Sequence, residues 1–187
     1  SVSIPPGLSM RASGVSPATN YEDGMMSMED INEVLNSMIS YYSGDARRVN
    51  HFLKVYGFAK VIGAREGLDP AAQKILEIAA LTHDIGIKNS ELKYNSSSGG
   101  HQQVEGPPEA RKMLEALSID ESIIERVSWL IAHHHTYNHI DSLDYQILVE
   151  ADFLVNSYEE ELSVESIRAI RDKIFRTESG LRLLDSL

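Results

Sequence analysis

The chain has 187 residues, of which 42% are hydrophobic, so it is long enough to form one domain with a substantial core. It contains no cysteine, which excludes thiol nucleophiles, disulfides and thiolate metal ligands. The formal net charge of −11 disfavours nucleic-acid polymers and anionic membrane surfaces as partners. The sequence shows no apolar run of about 18 residues and no secretory signal pattern, which predicts a cytoplasmic protein without a transmembrane helix.

Residues 1–23 are rich in Ser, Pro and Gly and show no apolar period, which predicts a flexible N-terminal tail. Residues 24–187 are predicted to form a single helical domain. Its first helix is expected to begin with Ser27 and Asp30 as a capping pair and to end near Tyr42.

The next helices have clear start signals. Asp45 is predicted to cap a helix that runs toward Glu66. Asp69-Pro70 places a capping carboxylate before a proline at the first helical position, and this third helix is expected to end near Gly86.

The polar segment 89–106 has Ser and Gly at its centre and is predicted to be a long functional or mobile loop. No strand or internal repeat is evident after it. The predicted fold is therefore an all-α bundle of about six to seven helices. The remaining helices are predicted over residues 107–117, 120–131, 141–158 and 163–177.

Several of these helices carry ionisable groups on the stripe of apolar residues that should face the core. Asp152, for example, lies four residues after Leu148 and three before Val155. A buried carboxylate without a partner costs several kcal/mol, so Asp152 must be paired, hydrogen-bonded or bound to a metal. His51, His83 and His134 lie on similar stripes, although each alone would also fit a structural role.

The order His51, His83-Asp84 and Asp152, within the segments RVNHFLKV, AALTHDIGIK and VEADFLVN, reads H…HD…D. It resembles the HD-domain superfamily of metal-dependent phosphohydrolases over about residues 45–157. The resemblance implies an HD-type helical bundle in which these four residues bind a divalent cation. With imidazole and carboxylate ligands, the cation could be Mn, Fe, Co, Ni, Zn or Mg.

Some members of that superfamily bind a second metal through a residue in the loop after HD and a pair of later histidines. His134 and His135 match the pair, and either Glu105 or His101 could supply the loop ligand. Glu105 is preferred because it lies closer to the helix predicted to begin at Pro107. The resemblance therefore implies one or two metal ions.

The resemblance also bears on the substrate. The chain reads HHHTYNHIDS after the histidine pair, without the GYP signature of cyclic-dinucleotide phosphodiesterases. It reads HDIGIK after the HD pair, without the acidic ED pair of alarmone hydrolases. The spacing HDxxxK resembles small stand-alone nucleotide hydrolases. This implies that metal-activated water cleaves a phosphate ester of a small, nucleotide-like substrate.

The candidate catalytic residues are Asp84, Lys88 and His134. Asp84 could bind one metal or bridge two, and Lys88 could bind a phosphate oxygen or simply be a solvated lysine at a helix end. His134 could be a metal ligand or the general acid of a one-metal enzyme. Arg47 and Arg48 are further candidates for binding the phosphate.

Two other functions would use the same residue types. A degenerate HD domain could sense a nucleotide or a metal without turnover, and a di-iron oxygenase could be built on the same scaffold. The sequence leaves these alternatives, the metal and the oligomeric state open.

Overall fold

The computed structural model describes residues 17–187, and it describes side chains from Met28 onward. This part of the chain contains nine helices and no strand, which confirms the all-α class and exceeds the six to seven helices predicted. The helices are α1 (Pro17–Tyr41), α2 (Ala46–Arg65), α3 (Pro70–Thr82), α4 (Ile87–Tyr94), α5 (Gly99–Ala116), α6 (Glu121–His133), α7 (Leu143–Glu159), α8 (Val164–Ile174) and α9 (Glu178–Ser186). Among the described residues, no helix is both long and apolar enough to cross a membrane.

The starts of α2 and α3 were predicted correctly. The Asp45 carboxylate accepts a hydrogen bond from the Arg48 backbone N–H at 3.1 Å, at the start of α2. The Asp69 carboxylate accepts from two backbone N–H groups at 3.0 and 2.9 Å, and Pro70 occupies the first helical position of α3. These local signals suffice because they satisfy donors that the helix itself leaves unpaired.

The start of α1 was predicted incorrectly. The helix begins at Pro17 instead of near Ser27, so residues 17–23, assigned to the flexible tail, are helical. Proline is favourable at the first position of a helix, and a helix can extend beyond the segment that carries an apolar stripe. The tail predicted over residues 1–16 lies outside the described part of the chain.

The long loop predicted over residues 89–106 was also wrong. Helix α4 and the first half of α5 occupy most of this segment, and Pro107-Pro108 lies inside α5 instead of opening it. Some of the polar side chains bind one another across the two helices, although much of the segment is exposed. Glu105, for example, is only 5% exposed and accepts hydrogen bonds from Lys93 and Tyr94.

Two helices form the centre of the bundle. Residues 76–82 of α3 and residues 144–152 of α7 are all buried. Helix α2 packs against both, and α6 packs against α3. His83 and Asp84 directly follow the buried half of α3, so this packing buries His83 and leaves Asp84 beside it only partly exposed.

The turn after α3 is held close to α5 by two glycines. A β-carbon on Gly86 would lie 2.6 Å from the Gly106 backbone nitrogen and 2.7 Å from the Gln102 carbonyl oxygen. A β-carbon on Gly106 would lie 2.6 Å from the Ile131 side chain. The position of the turn that carries His83 and Asp84 therefore depends on the small size of Gly86.

Substituting Gly86→Ala should destabilise the protein by about 1–3 kcal/mol, because the neighbouring atoms belong to the backbone and cannot rotate away. Gly57→Ala is the matched control, since a β-carbon there meets nothing within 4 Å in the middle of α2. It should raise stability by up to about 1 kcal/mol through helix propensity. Urea unfolding of both variants measures the difference, and equal stabilities would contradict the close packing.

Candidate metal centre

Four of the predicted ligands are brought together from three parts of the bundle. His51 Nε2 on α2 lies 3.3 Å from His83 Nε2, 3.4 Å from Asp84 Oδ2 and 3.3 Å from Asp152 Oδ1 on α7. His83 Nε2 lies 3.5 Å from each of the same two oxygens. Ligands about 2.0–2.2 Å from a tetrahedral cation are roughly 3.3–3.6 Å apart, so this spacing fits a divalent metal ion.

Three imidazoles in and beside this cluster, those of His51, His83 and His134, turn the same nitrogen outward. Nδ1 of His83 and Nδ1 of His134 each lie next to the backbone carbonyl three residues earlier, at 2.9 and 2.8 Å. Nδ1 of His51 lies 2.8 Å from the Glu159 carboxylate. Because these neighbours only accept hydrogen bonds, Nδ1 keeps its proton and Nε2 is the nitrogen that faces inward. Such an arrangement is typical of metal-binding histidines.

His51, His83, Asp84 and Asp152 form the first group of possible metal ligands. A second group, Asp84, His134 and His135, shares Asp84 with it. Ligand atoms of Asp84, His134 and His135 lie within 4.8 Å of one another, and His134 Nε2 is 3.5 Å from Asp84 Oδ1. His134 is 1% exposed, and its Nε2 has no hydrogen-bond partner among the described residues. The two oxygens of Asp84 thus face different histidines, so its carboxylate could bridge two cations.

His135 is suited to bind a cation as a neutral imidazole. Burial, together with the neighbouring His134, lowers the pKa of His135 to about 4. Its Nε2 lies 3.1 Å from the Gln102 amide oxygen and donates a hydrogen bond to it. This contact leaves Nδ1 as the free lone pair.

The first group attracts positive charge even without a metal. Burial opposes protonation of His83, but Asp84 and Asp152 outweigh it and raise the pKa of His83 to about 9. Burial alone would raise the pKa of Asp84, yet His83 and His134 lower it to about 2. Asp152 has a pKa far below its ordinary value for a similar reason, the hydrogen bonds from His51 and His83.

Two candidates from the sequence are not brought to these groups. Glu105 accepts from Lys93 Nζ at 2.5 Å and from the Tyr94 hydroxyl at 2.9 Å, so its carboxylate is already bound by two side chains of α4. Lys88 Nζ donates to the Tyr41 carbonyl at 3.2 Å and lies 4.8 Å from the centre of that ring. The helical conformation of residues 87–94 and 99–106 turns these side chains toward other partners, so neither joins the described groups, and the roles assigned to them stay predictions.

His101, the alternative to Glu105, also lies outside both groups. Its ring stacks on Tyr94 with ring centres 4.1 Å apart. Neither of the two loop ligands predicted in segment 89–106, Glu105 and His101, therefore belongs to the described groups of possible metal ligands.

A cavity of about 460 Å³ borders the first group. Both candidate arginines line it. Arg48 is held by Glu91 at 2.5 Å and by Asp45 at 3.1 Å. Arg47 is exposed and forms no ion pair with any described side chain, so its charge is directed to solvent and the cavity.

Three residues that support the site were missed in the sequence. The Tyr42 hydroxyl donates to the Asp84 backbone carbonyl at 2.8 Å, and the Asn156 amide donates to Asp152 Oδ1 at 2.9 Å. Glu159 binds His51, as described above. Asn156 and Glu159 follow Asp152 by four and seven residues, so helical spacing could have indicated them. Nothing in the sequence connects Tyr42 with Asp84.

The model of the HD-domain family matches residues 48–170, about two thirds of the chain. The chain belongs to the HD-domain family. HD domains bind divalent metals, and the His/Asp groups of this HD-domain protein could hold them.

A solved structure resembles this HD-domain protein over most of its length. It is the crystal structure of a predicted HD superfamily hydrolase from an uncultured Thermotogales bacterium, with a TM-score of 0.60 and 26% sequence identity. The match covers 83% of each chain. None of the curated proteins matches the sequence. The family and this neighbour support a hydrolase of a metal-dependent family.

Metal affinity should depend on pH in a direction set by His83. Its pKa in the metal-free protein is raised from 6.5 to about 9, so below about pH 9 a proton occupies the cluster. A cation must displace that proton, and its affinity should therefore rise by up to about tenfold per pH unit between roughly pH 6.5 and 8.5. Calorimetric titration of chelator-treated protein with Mn²⁺ tests this, and an affinity that is constant or falls over this range would contradict it.

Proposed function

We propose that this HD-domain protein is a metal-dependent phosphohydrolase that cleaves a phosphate ester of a small, nucleotide-like substrate with metal-activated water. The observation that carries the proposal is the set of donor atoms 3.3–3.5 Å apart beside a cavity of about 460 Å³. A cavity of this volume is in the range that accommodates small-molecule ligands.

The residues that would hold the first cation are His51, His83, Asp84 and Asp152. His134 and His135, with Asp84 as the shared ligand, would hold a second. When bound, a divalent cation lowers the pKa of water toward neutrality and polarises a phosphoryl oxygen. The chain's own contribution is to fix the inward-facing nitrogens and carboxylates before the substrate arrives.

The charge of the cavity supports metal dependence. Its walls contain six carboxylates but only two arginines, and Arg48 is already paired with two of those carboxylates. An anionic phosphate would be repelled by such walls unless bound cations reversed the local potential. The carboxylates are Asp45, Asp84, Glu91, Asp152, Glu159 and Glu160.

The two arginines would contribute differently to phosphate binding. Arg47 has no described ion-pair partner, so it can turn toward a phosphate oxygen without breaking an existing contact. Arg48 is oriented by Asp45 and Glu91, which fixes its position but offsets part of its charge. We therefore assign the larger share of substrate attraction to Arg47.

Turnover should require both the cation and Asp84. Protein treated with a chelator should be inactive on a panel of phosphomonoesters, phosphodiesters and nucleotides, and one of Mn²⁺, Co²⁺, Ni²⁺, Zn²⁺, Fe²⁺ or Mg²⁺ should restore activity. Asp84→Ala should lower kcat/KM by roughly 10³-fold or more, because it removes a shared ligand and its charge. Asp120→Ala, at an exposed helix start without a side-chain capping bond, is the matched control. Activity that persists in Asp84→Ala would contradict the proposal.

The number of metal ions can be measured separately. If Asp84 bridges two sites, metal titration should saturate at about two equivalents per chain and fall to about one in the His134→Ala His135→Ala variant. Inductively coupled plasma mass spectrometry after gel filtration gives the same count independently. Saturation at one equivalent in the unmodified, active protein would instead favour His134 as a general acid.

A further inference from the structure

Glu159, near the cavity and at the end of α7, contacts the outer nitrogen of a candidate metal ligand. Its Oε2 lies 2.8 Å from His51 Nδ1. The corresponding nitrogens of His83 and His134 are bound by neutral backbone carbonyls. We infer that Glu159 is a positioning residue of the metal centre: it holds His51 with Nε2 inward and strengthens that nitrogen as a ligand.

The charge of the acceptor is what distinguishes Glu159 from the carbonyls. A hydrogen bond to a carboxylate is roughly twice as strong as one between neutral groups. It also draws the Nδ1 proton away from the ring, which makes Nε2 a better electron donor to a cation. The Glu159 side chain is 16% exposed, so water screens this contact only in part.

Helical spacing explains why Glu159 can reach His51. Asp152, Asn156 and Glu159 lie at positions i, i+4 and i+7 on one face of α7, the face toward α2. Asp152 Oδ1 is 3.3 Å from His51 Nε2, and Glu159 Oε2 contacts the opposite side of the same ring. The His51 imidazole is therefore held between two carboxylates of one helix, with the inward one as the candidate ligand.

Glu159 also forms an ion pair with Lys54, one turn after His51 on α2. The pair uses the other carboxylate oxygen, Oε1, so the two contacts are separate. Lys54 has a side chain that is 44% exposed, and ion pairs at such positions contribute little stability. Substitutions can therefore remove the Lys54 contact while leaving the His51 contact in place.

The inference rests on the proposed metal centre, and metal affinity tests it without an activity assay. Co²⁺ serves as the probe, with a chromophoric chelator as competitor and the visible Co²⁺ absorption as a second readout. Glu159→Gln should weaken Co²⁺ binding by about 10–100-fold and change the Co²⁺ spectrum, because glutamine keeps the size of the side chain but removes its charge. Glu159→Asp should weaken binding too, because the shorter side chain withdraws the carboxylate from His51.

Two control variants separate positioning from simple charge effects. Lys54→Gln breaks the ion pair but not the contact with His51, and it should change Co²⁺ affinity by less than about fivefold. Glu161→Gln removes one negative charge from an exposed position two residues away and should leave both readouts unchanged. Circular dichroism and the thermal midpoint of the metal-free proteins show whether each variant is folded.

The outcomes distinguish this inference from the proposed function. If the unmodified protein binds Co²⁺ and Glu159→Gln binds it equally well with the same spectrum, the positioning role is wrong and the metal centre stands. If Lys54→Gln loses as much affinity as Glu159→Gln, the ion pair is responsible and the inference is again wrong. If the unmodified protein binds no divalent cation, both the proposed function and the inference fail.

Discussion

The donor atoms gathered between α2, α3 and α7 repel one another, and the arrangement of the bundle follows from how that repulsion is relieved. The Nε2 atoms of His51 and His83 are 3.3 Å apart, and carboxylate oxygens of Asp84 and Asp152 lie at similar distances. Without positive charge between them, lone pairs and anions would face one another in a poorly solvated site. Either a proton or a cation must occupy this point, which is why burial fails to lower the pKa of His83.

The fold keeps these donors together by fixing their backbone and their outer nitrogens. The buried half of α3 ends at His83, and the next turn is pressed against α5 through Gly86. Tyr42 holds the carbonyl of Asp84, and Asn156 holds the carboxylate of Asp152. Each of the four residues thus has a further contact with the protein, at an outer ring nitrogen, a backbone carbonyl or the carboxylate itself, and such contacts limit the movement that would let the donors separate.

Carboxylates of the cluster and its neighbours also make the wall of the cavity acidic. An acidic wall beside an acidic cluster would attract cations and repel a phosphate, so for the proposed phosphate-ester substrate cation binding would have to come first. Of the two arginines in the cavity wall, Arg48 is paired with carboxylates and Arg47 has no described carboxylate partner. The acidic composition of the whole chain, with its net charge of −11, is therefore compatible with an anionic substrate only through local reversal at the metal centre.

The helical class, the capped starts at Asp45 and Asp69, and the residues of the H…HD…D pattern were all predictable from the amino-acid sequence. Periodicity and capping are local properties, and an ionisable group on an apolar stripe signals a buried partner wherever the helix packs. Which other polar residues lie beside the cluster became clear from the packing of the helices. Glu105 was the preferred loop ligand, but Lys93 and Tyr94 bind it between α4 and α5. Such pairings depend on how helices are oriented in space, and no spacing along one chain segment specifies them.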